Sequence, residues 1–306
     1  MKPLLSIIIV NWNTKDILLD CLRSIVDQTR TDHEIIVVDN NSMDQSVNAV
    51  RFAFPQVHLI DSPENLGFAR ANNVGLQHAK GNFILFLNPD TLVLDAALDK
   101  MVAFLCDHPE IGILGPHTFN ADKQTTQATV KFKPTLKRVF HTHIPLWKLI
   151  PRWHPTPAGD VVWNKTSEVE IVKGSCMMLP AQVVHSLGGM SEAHFMFSEE
   201  VDLCERAKQL GYPTWYYADA SIVHLGGAAT RQNVDPMIKQ YLMAYTSTFR
   251  QYNPESSVVL FHLLLFIGSL WRILAWIPFL VTSKKEYAHL RLLEHRATLR
   301  YLTGFL

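Results

Sequence analysis

Short runs of β-branched and apolar residues alternate with segments of helical periodicity through the first third of the chain, and this alternation admits few folds. Leu5–Val10 and Glu34–Val38 are near-continuous apolar runs, as strands buried on both faces require. Val57–Ile60 and Phe83–Leu87 read as a third and a fourth strand. Between them, Asp16–Gln28 places Ile17, Leu18, Cys21, Leu22 and Ile25 along one helical stripe. Ser46–Phe54 reads as a helix stopped by Pro55, and Gly67–Ala79 as a helix ended by Gly81. Strands and helices alternating at these lengths predict an α/β fold, with a mostly parallel sheet and helices on both faces. Open sheets of this kind bind ligands beyond the carboxyl ends of their strands. The polar clusters Asn11-Trp12-Asn13, Asp39-Asn40-Asn41-Ser42 and Asn88-Pro89-Asp90 fall at those ends.

Other classes lose support quickly. No GxGxxG follows the first strand, so a dinucleotide-binding fold lacks its main signature. The 28 basic and 28 acidic side chains balance to a formal charge of +0, which leaves no electrostatic case for nucleic acid. The cysteines Cys21, Cys106, Cys176 and Cys204 form no CxxC pair. Cys21, Cys106 and Cys204 have apolar or helical neighbours and read as reduced core thiols, as in a cytosolic protein. The opening MKPLLSIIIV is basic then apolar, but the apolar run is short and no small-residue cleavage site follows. It reads as a strand rather than a signal peptide.

Beyond Leu105 the periodicity loosens. Thr118–Lys165, with Pro134, Pro145, Pro151, Pro155 and Pro157, predicts irregular loops over the ligand-binding face. Strands resume at Val169–Val172 and Cys176–Leu179, followed by a helix from Ala181 and another over Glu199–Leu210, capped by Gly211. A boundary is expected near Asn253-Pro254, dividing the chain into residues 1–252 and a helical segment, 253–306.

On spacing alone, each polar cluster carries two readings. Asp90 suits a metal held against a diphosphate, or else it turns the chain and caps the next helix. Asp39 is placed to accept a nucleobase N–H, or to close an Asx-turn. Glu64-Asn65-Leu66-Gly67-Phe68 precedes a helix whose first N–H groups are placed to meet an anion. Glu199, Glu200 and Asp202 open a helix, where they complement its dipole or supply a base. His224, between Ile222-Val223 and Gly226-Gly227, is a structural side chain or a metal ligand.

Taken in order from Ser6 to Gly227, the segments SIIIVNWN, IIVVDNNSMD, ENLGFARANNVGL, FLNPD, GGMSEAHFMFSEEVDLCERAKQLGY and IVHLGG resemble the family 2 glycosyltransferases, especially their rhamnosyltransferase-like branch. The resemblance implies a GT-A fold and an inverting, metal-dependent hexosyl transfer from a nucleotide sugar, with Mg²⁺ or Mn²⁺ as cofactor. It implies that Val10, Asn11 and Asp39 contact base and ribose, and that Asn65, Gly67 and Asn72 line the nucleotide pocket. Asp90 matches the metal end of the DxD motif, against the donor diphosphate, and His224 the histidine that completes the metal site. Glu200 matches the general base, with Glu199 and Asp202 as the other candidates. Two departures stand out: the first DxD residue is Asn88, and the usual Glu-Asp pair is Glu199-Glu200. The implied donor is dTDP-rhamnose before UDP-hexoses. The implied acceptor is a hydroxyl of a cell-surface polysaccharide or a polyprenyl-linked oligosaccharide. The competing reading is a nucleotide-sugar-binding protein of the same fold without catalysis, which requires a damaged metal or base site.

The last fifty residues differ in character. Val258–Val281 is almost wholly apolar, interrupted by His262, Ser269 and Arg272. A basic amphipathic stretch follows, with Lys284, Lys285, Arg291, Arg296 and Arg300 against Glu286 and Glu294. The run is long enough to cross a bilayer, but Arg272 near its middle would cost about 3 kcal/mol there. A helix lying in the membrane interface, helped by the basic stretch, is the expectation. It makes the protein cytoplasmic and peripheral at the inner face of the plasma membrane. Packing on protein, including a second subunit of a homo-oligomer, is the other reading.

Overall fold

The computed structural model describes residues 4–144, 163–193, 195–226, 234–282 and 285–304. Pro145, Pro151, Pro155, Pro157, His194, Gly227 and Lys284, all named above, lie outside the described residues. The chain divides into two compact units, one of residues 1–132 with 161–229 and one of residues 133–160 with 230–306.

The first unit begins with the predicted alternation: β1 (Leu5–Asn11), α1 (Lys15–Gln28), β2 (His33–Asp39), α2 (Ser46–Ala53), β3 (His58–Asp61), α3 (Phe68–His78) and β4 (Phe83–Leu87). It continues through β5 (Thr91–Leu94), α4 (Ala97–Asp107), β6 (Ile113–Phe119) and β7 (Val130–Lys131). After α5 (Leu136–His143), which belongs to the second unit, come β8 (Ser167–Val169), β9 (Ile171–Val172), β10 (Cys176–Pro180), α6 (Ala181–Ser186), α7 (Glu199–Gln209) and β11 (Thr214–His224).

The main sheet runs β3-β2-β1-β4-β10-β6-β11-β5, with β8 also on β11. β1 pairs in parallel with β2 and β4, and β2 with β3. β10 is antiparallel to both β4 and β6, while β11 is parallel to β6. Two reversals restore direction, so β6 and β11 run with β1, β2 and β4. The carboxyl ends of those five strands therefore share one sheet edge. They share it with the amino ends of β10 and of β5, which is antiparallel to β11.

β1 is buried along its whole length. Its side chains alternate between faces: Ile7 and Ile9 join Leu18, Leu22 and Met101 of α1 and α4. Ile8 and Val10 join Ala69, Val183 and Val201 of α3, α6 and α7. That two-sided burial explains why Ile7–Val10 is apolar at every position rather than at alternate ones.

Several expectations change in detail. α3 ends at His78, with the Ala79 N–H returning to Leu76 O. Gly81 is not its cap; a Cβ there would stand 2.5 Å from Ser6 N, so the residue is small because the chain crosses β1 at close range. Asp90 leads into a strand, not a helix. The Thr118–Lys165 stretch is not wholly irregular, since it contains β7 and α5. Cys106 is exposed, and Cys21, Cys176 and Cys204 are buried free thiols. Gly211 does cap α7: its φ is +86°, its N–H returns to Lys208 O, and the Tyr212 N–H returns to Ala207 O, a Schellman closure.

The second unit is helical: α5, α8 (Val234–Tyr252), α9 (Val258–Trp276) with a short 3-10 continuation, Ile277–Val281, and α10 (Lys285–Leu302). Its core joins Val139, Leu242, Phe249, Phe261, Leu265 and Leu302. Phe249 and Phe261 stack with centroids 4.2 Å apart. The break at Asn253-Pro254 consequently falls inside this unit, between α8 and α9. Asn253 and Pro254 end a helix, but Phe249 before them and Phe261 after them share one core.

α3 lies close on the sheet because Gly75 leaves room: a Cβ there would come 2.5 Å from Ile8 Cγ2 and 3.3 Å from Val38 Cγ2. Gly75→Val should overpack this contact and lower unfolding stability by about 1–3 kcal/mol, read as a lower urea midpoint at unchanged m-value. An unchanged midpoint would contradict the close approach.

Candidate active site

The shared sheet edge collects the polar strand ends. Asn11 and Asp39 are register partners on β1 and β2, which brings their side chains level. Asn11 Nδ2 donates to Asp39 Oδ1 (3.1 Å) and to Ser42 Oγ (3.1 Å), and Thr14 Oγ1 donates to Asn11 Oδ1 (2.7 Å). Asp39 Oδ2 accepts the Ser42 N–H at 2.9 Å. The carboxylate thus closes a local turn onto Ser42, three residues on, and, being buried, also fixes Asn11. The Val10 side chain is buried in the core layer of α3 and α7.

Asn40 fastens the next segment to this edge. Its Nδ2 donates to Gly67 O (3.1 Å) and its Oδ1 accepts the Leu66 N–H (3.1 Å). Asn65 Oδ1 accepts the Gly67 N–H (3.0 Å), and the Phe68 N–H donates to Phe195 O (2.8 Å). Two N–H groups at the start of α3 are therefore already used, against the expectation of a simple anion site. Gly67 has φ +78°, and a Cβ there would sit 2.3 Å from Phe195 O. Only glycine meets both conditions. Asn72 is buried and donates to Phe68 O one turn earlier in α3 (3.0 Å).

Asp90 and His224 meet at the same edge. β5 pairs Thr91 with His224, and the Leu225 N–H donates to Asp90 O at 2.9 Å, so the two chain segments are locked in step. His224 Nε2 lies 3.2 Å from Asp90 Oδ1, with both side chains less than one-tenth exposed. Asn88 Nδ2 is 3.5 Å from the same ring nitrogen. Asn88 Oδ1 is buried and has no hydrogen-bond partner.

That orphaned oxygen tests whether the residues fit the divalent cation implied by the resemblance. A carboxylate, an unsatisfied amide oxygen and an imidazole nitrogen are donor types that Mg²⁺ and Mn²⁺ accept. Among the described residues no group of three His, Cys, Asp or Glu side chains is poised to hold a metal unaided. So sparse a set suits a cation completed by phosphate oxygens of a bound nucleotide and by water. The residues fit.

The acidic cluster follows two consecutive left-handed residues, Phe197 (φ +77°) and Ser198 (φ +68°). Backbone strain in non-glycine residues persists where the surroundings over-determine it, often at functional sites. It delivers Glu199 and Glu200 to the first turn of α7, both buried. Glu200 Oε1 accepts a hydrogen bond from Lys131 Nζ. Burial alone would raise the Glu200 pKa, but the Lys131 ammonium and its hydrogen bond outweigh it and hold the group below its usual value. Glu199 moves the other way, raised by burial and then by the Glu200 charge, and its Oε1 has no hydrogen-bond partner. Asp202 turns aside to Arg206 (2.6 Å), which also donates to Leu187 O and Gly189 O. It ties α7 to the preceding loop.

Sequence reasoning missed three residues that finish the site: Lys131, Lys173 and Gln127. Lys131 sits on the two-residue β7, paired with β9, and Lys173 directly follows β9. The Lys173 pKa is pulled down to about 8, by burial first and then by the Lys131 charge, against the pull of Asp90 and Glu200. Gln127 contacts both Lys173 and His224. None of the three lies in a periodic segment; the pairing of β7 with β9 brings Lys131 and Lys173 to the acids, and the Gln127 N–H is held by Thr118 O.

Known proteins resemble this chain in sequence and in fold. Residues 6–161 match the Glycosyl transferase family 2 profile. The O-antigen biosynthesis protein RfbC of Myxococcus xanthus is 29% identical over 246 residues, which is 78% of this chain but only 19% of that protein. The N-acetylglucosaminyl-diphospho-decaprenol L-rhamnosyltransferase of Mycobacterium tuberculosis is 23% identical over 236 residues, 73% of this chain and 76% of that enzyme. The mannosyltransferase PcManGT of Pyrobaculum calidifontis, solved with GDP-Man and Mn²⁺, superposes with a TM-score of 0.61. The match covers 99% of this chain and 88% of that one at 15% identity, a likeness of fold. By profile, relatives and fold, the chain belongs to glycosyl transferase family 2, on its rhamnosyltransferase-like side, and has the GT-A architecture.

Proposed function

We propose that this protein transfers a hexose, with inversion, from a nucleotide-sugar donor to a hydroxyl of a cell-surface polysaccharide or polyprenyl-linked oligosaccharide. The observation that carries the reading is the Asp90–His224 pair beside the orphaned Asn88 Oδ1, at the edge where Asn11 and Asp39 also lie. Asn11 and Asp39 would recognise the base and ribose. Asp90, Asn88 and His224 would hold a divalent cation. When bound, that cation supplies positive charge to the leaving diphosphate. Lys173, within electrostatic reach of Asp90 and Glu200, adds a second positive charge there. Glu200 serves as base, because its depressed pKa keeps it ionised at neutral pH. The acceptor oxygen bonds to the anomeric carbon as the bond to the diphosphate breaks, and the acceptor proton passes to Glu200. One in-line displacement inverts that carbon. A donor-binding protein without catalysis is disfavoured by an ionised base and an intact donor set. The name of the Mycobacterium tuberculosis relative supports an L-rhamnosyl donor and a lipid-linked acceptor, and that of RfbC a part in O-antigen biosynthesis.

Once a panel of nucleotide sugars has identified the donor, Glu200→Gln should lower kcat by about 10²–10⁴ and leave donor affinity nearly unchanged. Asp202→Asn should act mainly on stability, through the Arg206 bond. A larger kcat loss in Glu199→Gln or Asp202→Asn than in Glu200→Gln would contradict the assignment.

We also propose that the second unit binds the inner surface of the plasma membrane through one face of α9. The polar residues that interrupt the apolar run face inward: His262 and Ser269 are buried, and His262 Nε2 lies 3.1 Å from Thr246 Oγ1. Arg272 Nη2 donates to Thr142 O (2.8 Å), one of the last carbonyls of α5. Its charge is engaged within the unit, so it does not oppose contact with lipid. The opposite face, with Leu260, Leu263, Ile267, Leu270, Trp271 and Leu274, is exposed at helical spacing. Lys285 and Arg296 lie exposed on α10 and complement anionic headgroups, whereas Arg291 is paired with Glu294 and Tyr287. Removing the chain from Ser257 onward would strip Phe261 from Phe249, so the test is a surface one. Wild type should float with anionic vesicles, and a variant with Leu263, Ile267, Trp271 and Leu274 all changed to Ser should not, while both bind donor equally. Failure of wild type to float, with loss of a dimer in the variant, would make the face an interface between copies.

A further inference from the structure

We propose that Gln127 is a positioning residue that fixes the His224 ring with hydrogen on Nδ1 and so presents Nε2 to Asp90. The inference builds on the metal reading of the Asp90–His224 pair, and it follows from a chain of hydrogen bonds whose direction is set at both ends.

The outer end is the turn Asn120–Thr125, closed by the Asn120 N–H to Thr125 O (2.8 Å). The Asp122 carboxylate is held below its usual pKa by the Thr125 hydroxyl first and then by the N–H groups of Gln124 and Thr125. An ionised carboxylate only accepts, so Thr125 Oγ1 donates to Asp122 Oδ2 (2.6 Å). With its hydrogen spent, the Thr125 hydroxyl accepts from Asn120 Nδ2 (2.9 Å). That turns Asn120 Oδ1 toward Gln127, whose Nε2 donates to it at 3.1 Å. The second Nε2 hydrogen goes to the main-chain oxygen of His224, also at 3.1 Å.

Gln127 Oε1 consequently faces Lys173 Nζ at 2.5 Å and His224 Nδ1 at 2.7 Å; Lys173 Nζ also stands 3.3 Å from Nδ1, but both nitrogens are closer to the shared oxygen than to each other. Turning the amide over would aim its NH₂ at the lysine ammonium and its oxygen at two acceptor oxygens. A donor-only lysine and an acceptor-only carbonyl thus fix the amide orientation. A carbonyl oxygen cannot donate, so Nδ1 carries a hydrogen whether the ring is neutral or charged. Asp90 Oδ1, 3.2 Å from Nε2, accepts a hydrogen from that nitrogen in turn, and a bound cation would take the place of that hydrogen. Partners of this kind behind a ligating histidine set its tautomer and orientation, and their loss typically costs 10–100-fold in metal affinity.

Two readouts test the proposal, both without turnover. Long-range ¹H–¹⁵N spectra of the metal-free protein, with His224 assigned by difference from His224→Asn, should show a hydrogen on Nδ1. Gln127→Met should lose that preference and weaken Mn²⁺ binding, followed by electron paramagnetic resonance with a nucleoside diphosphate present, by about 10–100-fold. Gln127→Glu keeps an oxygen facing Nδ1 and should retain the tautomer and most of the affinity. A wild-type ring protonated at Nε2 and bare at Nδ1 overturns the proposal, and needs no variant to fold. So does a folded Gln127→Met protein with unchanged ring and unchanged Mn²⁺ affinity. An Nδ1-protonated wild-type ring that changes in Gln127→Met, in a protein that never binds Mn²⁺, supports the positioning by Gln127 and overturns the metal reading instead.

Discussion

β10 runs against both of its neighbours, and most of the candidate site follows from that. Had β10 been parallel to β4 and still antiparallel to β6, β6 and β11 would point the other way. His224 would then emerge far from Asp90. With β10 antiparallel on both sides, β11 runs with β4, and the ends of β1, β2, β4 and β11 share an edge. The register then does the fine placement, Asn11 opposite Asp39 and Thr91 opposite His224. Two-sided burial of β1 holds this edge rigid, because neither face of the strand is free to adjust.

The edge gathers charges that no one of them would tolerate alone. Asp90, Glu199 and Glu200 are buried, and a buried carboxylate is costly unless it is paired or protonated. The three find different answers. Asp90 has His224, Glu200 has Lys131, and Glu199 moves toward its neutral form beside Glu200. Adjacent acids pushed in opposite directions are a common way for one site to keep an ionised base. Lys173 completes the balance and is itself pulled toward neutrality by burial and Lys131. On the proposed reading, such a site would receive an anionic ligand that brings its own counter-ion, which is the chemistry of a nucleoside diphosphate with a divalent metal.

How much of this was legible beforehand divides along physical lines. Leu5–Val10, Asp16–Gln28 and Glu34–Val38 could be read because burial on one or two faces imposes a period on the side chains. Asp90, Glu200 and His224 could be picked out because the segments that carry them, FLNPD, FSEEVDL and IVHLGG, resemble those of the family; spacing alone left each with a structural reading as well. β6 was not foreseen: it contains Gly115, Pro116 and His117, and Pro116 has no N–H for the ladder. β7 and β9 are two residues each, too short to show any period, and they are what carry Lys131 and Lys173 to the acids. Gln127 was invisible for a similar reason, since its place depends on a turn and on a strand almost a hundred residues later. The helical unit was misdivided because Asn253-Pro254 breaks a helix conspicuously, whereas the packing of Phe249 on Phe261 leaves no mark in the sequence.

The central claim is that the Asp90–His224 edge binds a cation and a nucleoside diphosphate as one ligand, each completing the site for the other. Calorimetric titration of the wild-type protein with UDP and dTDP, each with and without Mn²⁺, tests it most directly. Binding free energies must be linked reciprocally if the two share a site. The account predicts that Mn²⁺ strengthens diphosphate binding and that the diphosphate strengthens Mn²⁺ binding by the same factor. Asp90→Ala should reduce that factor to near one. Equal diphosphate affinity with and without Mn²⁺ in the wild type would contradict it.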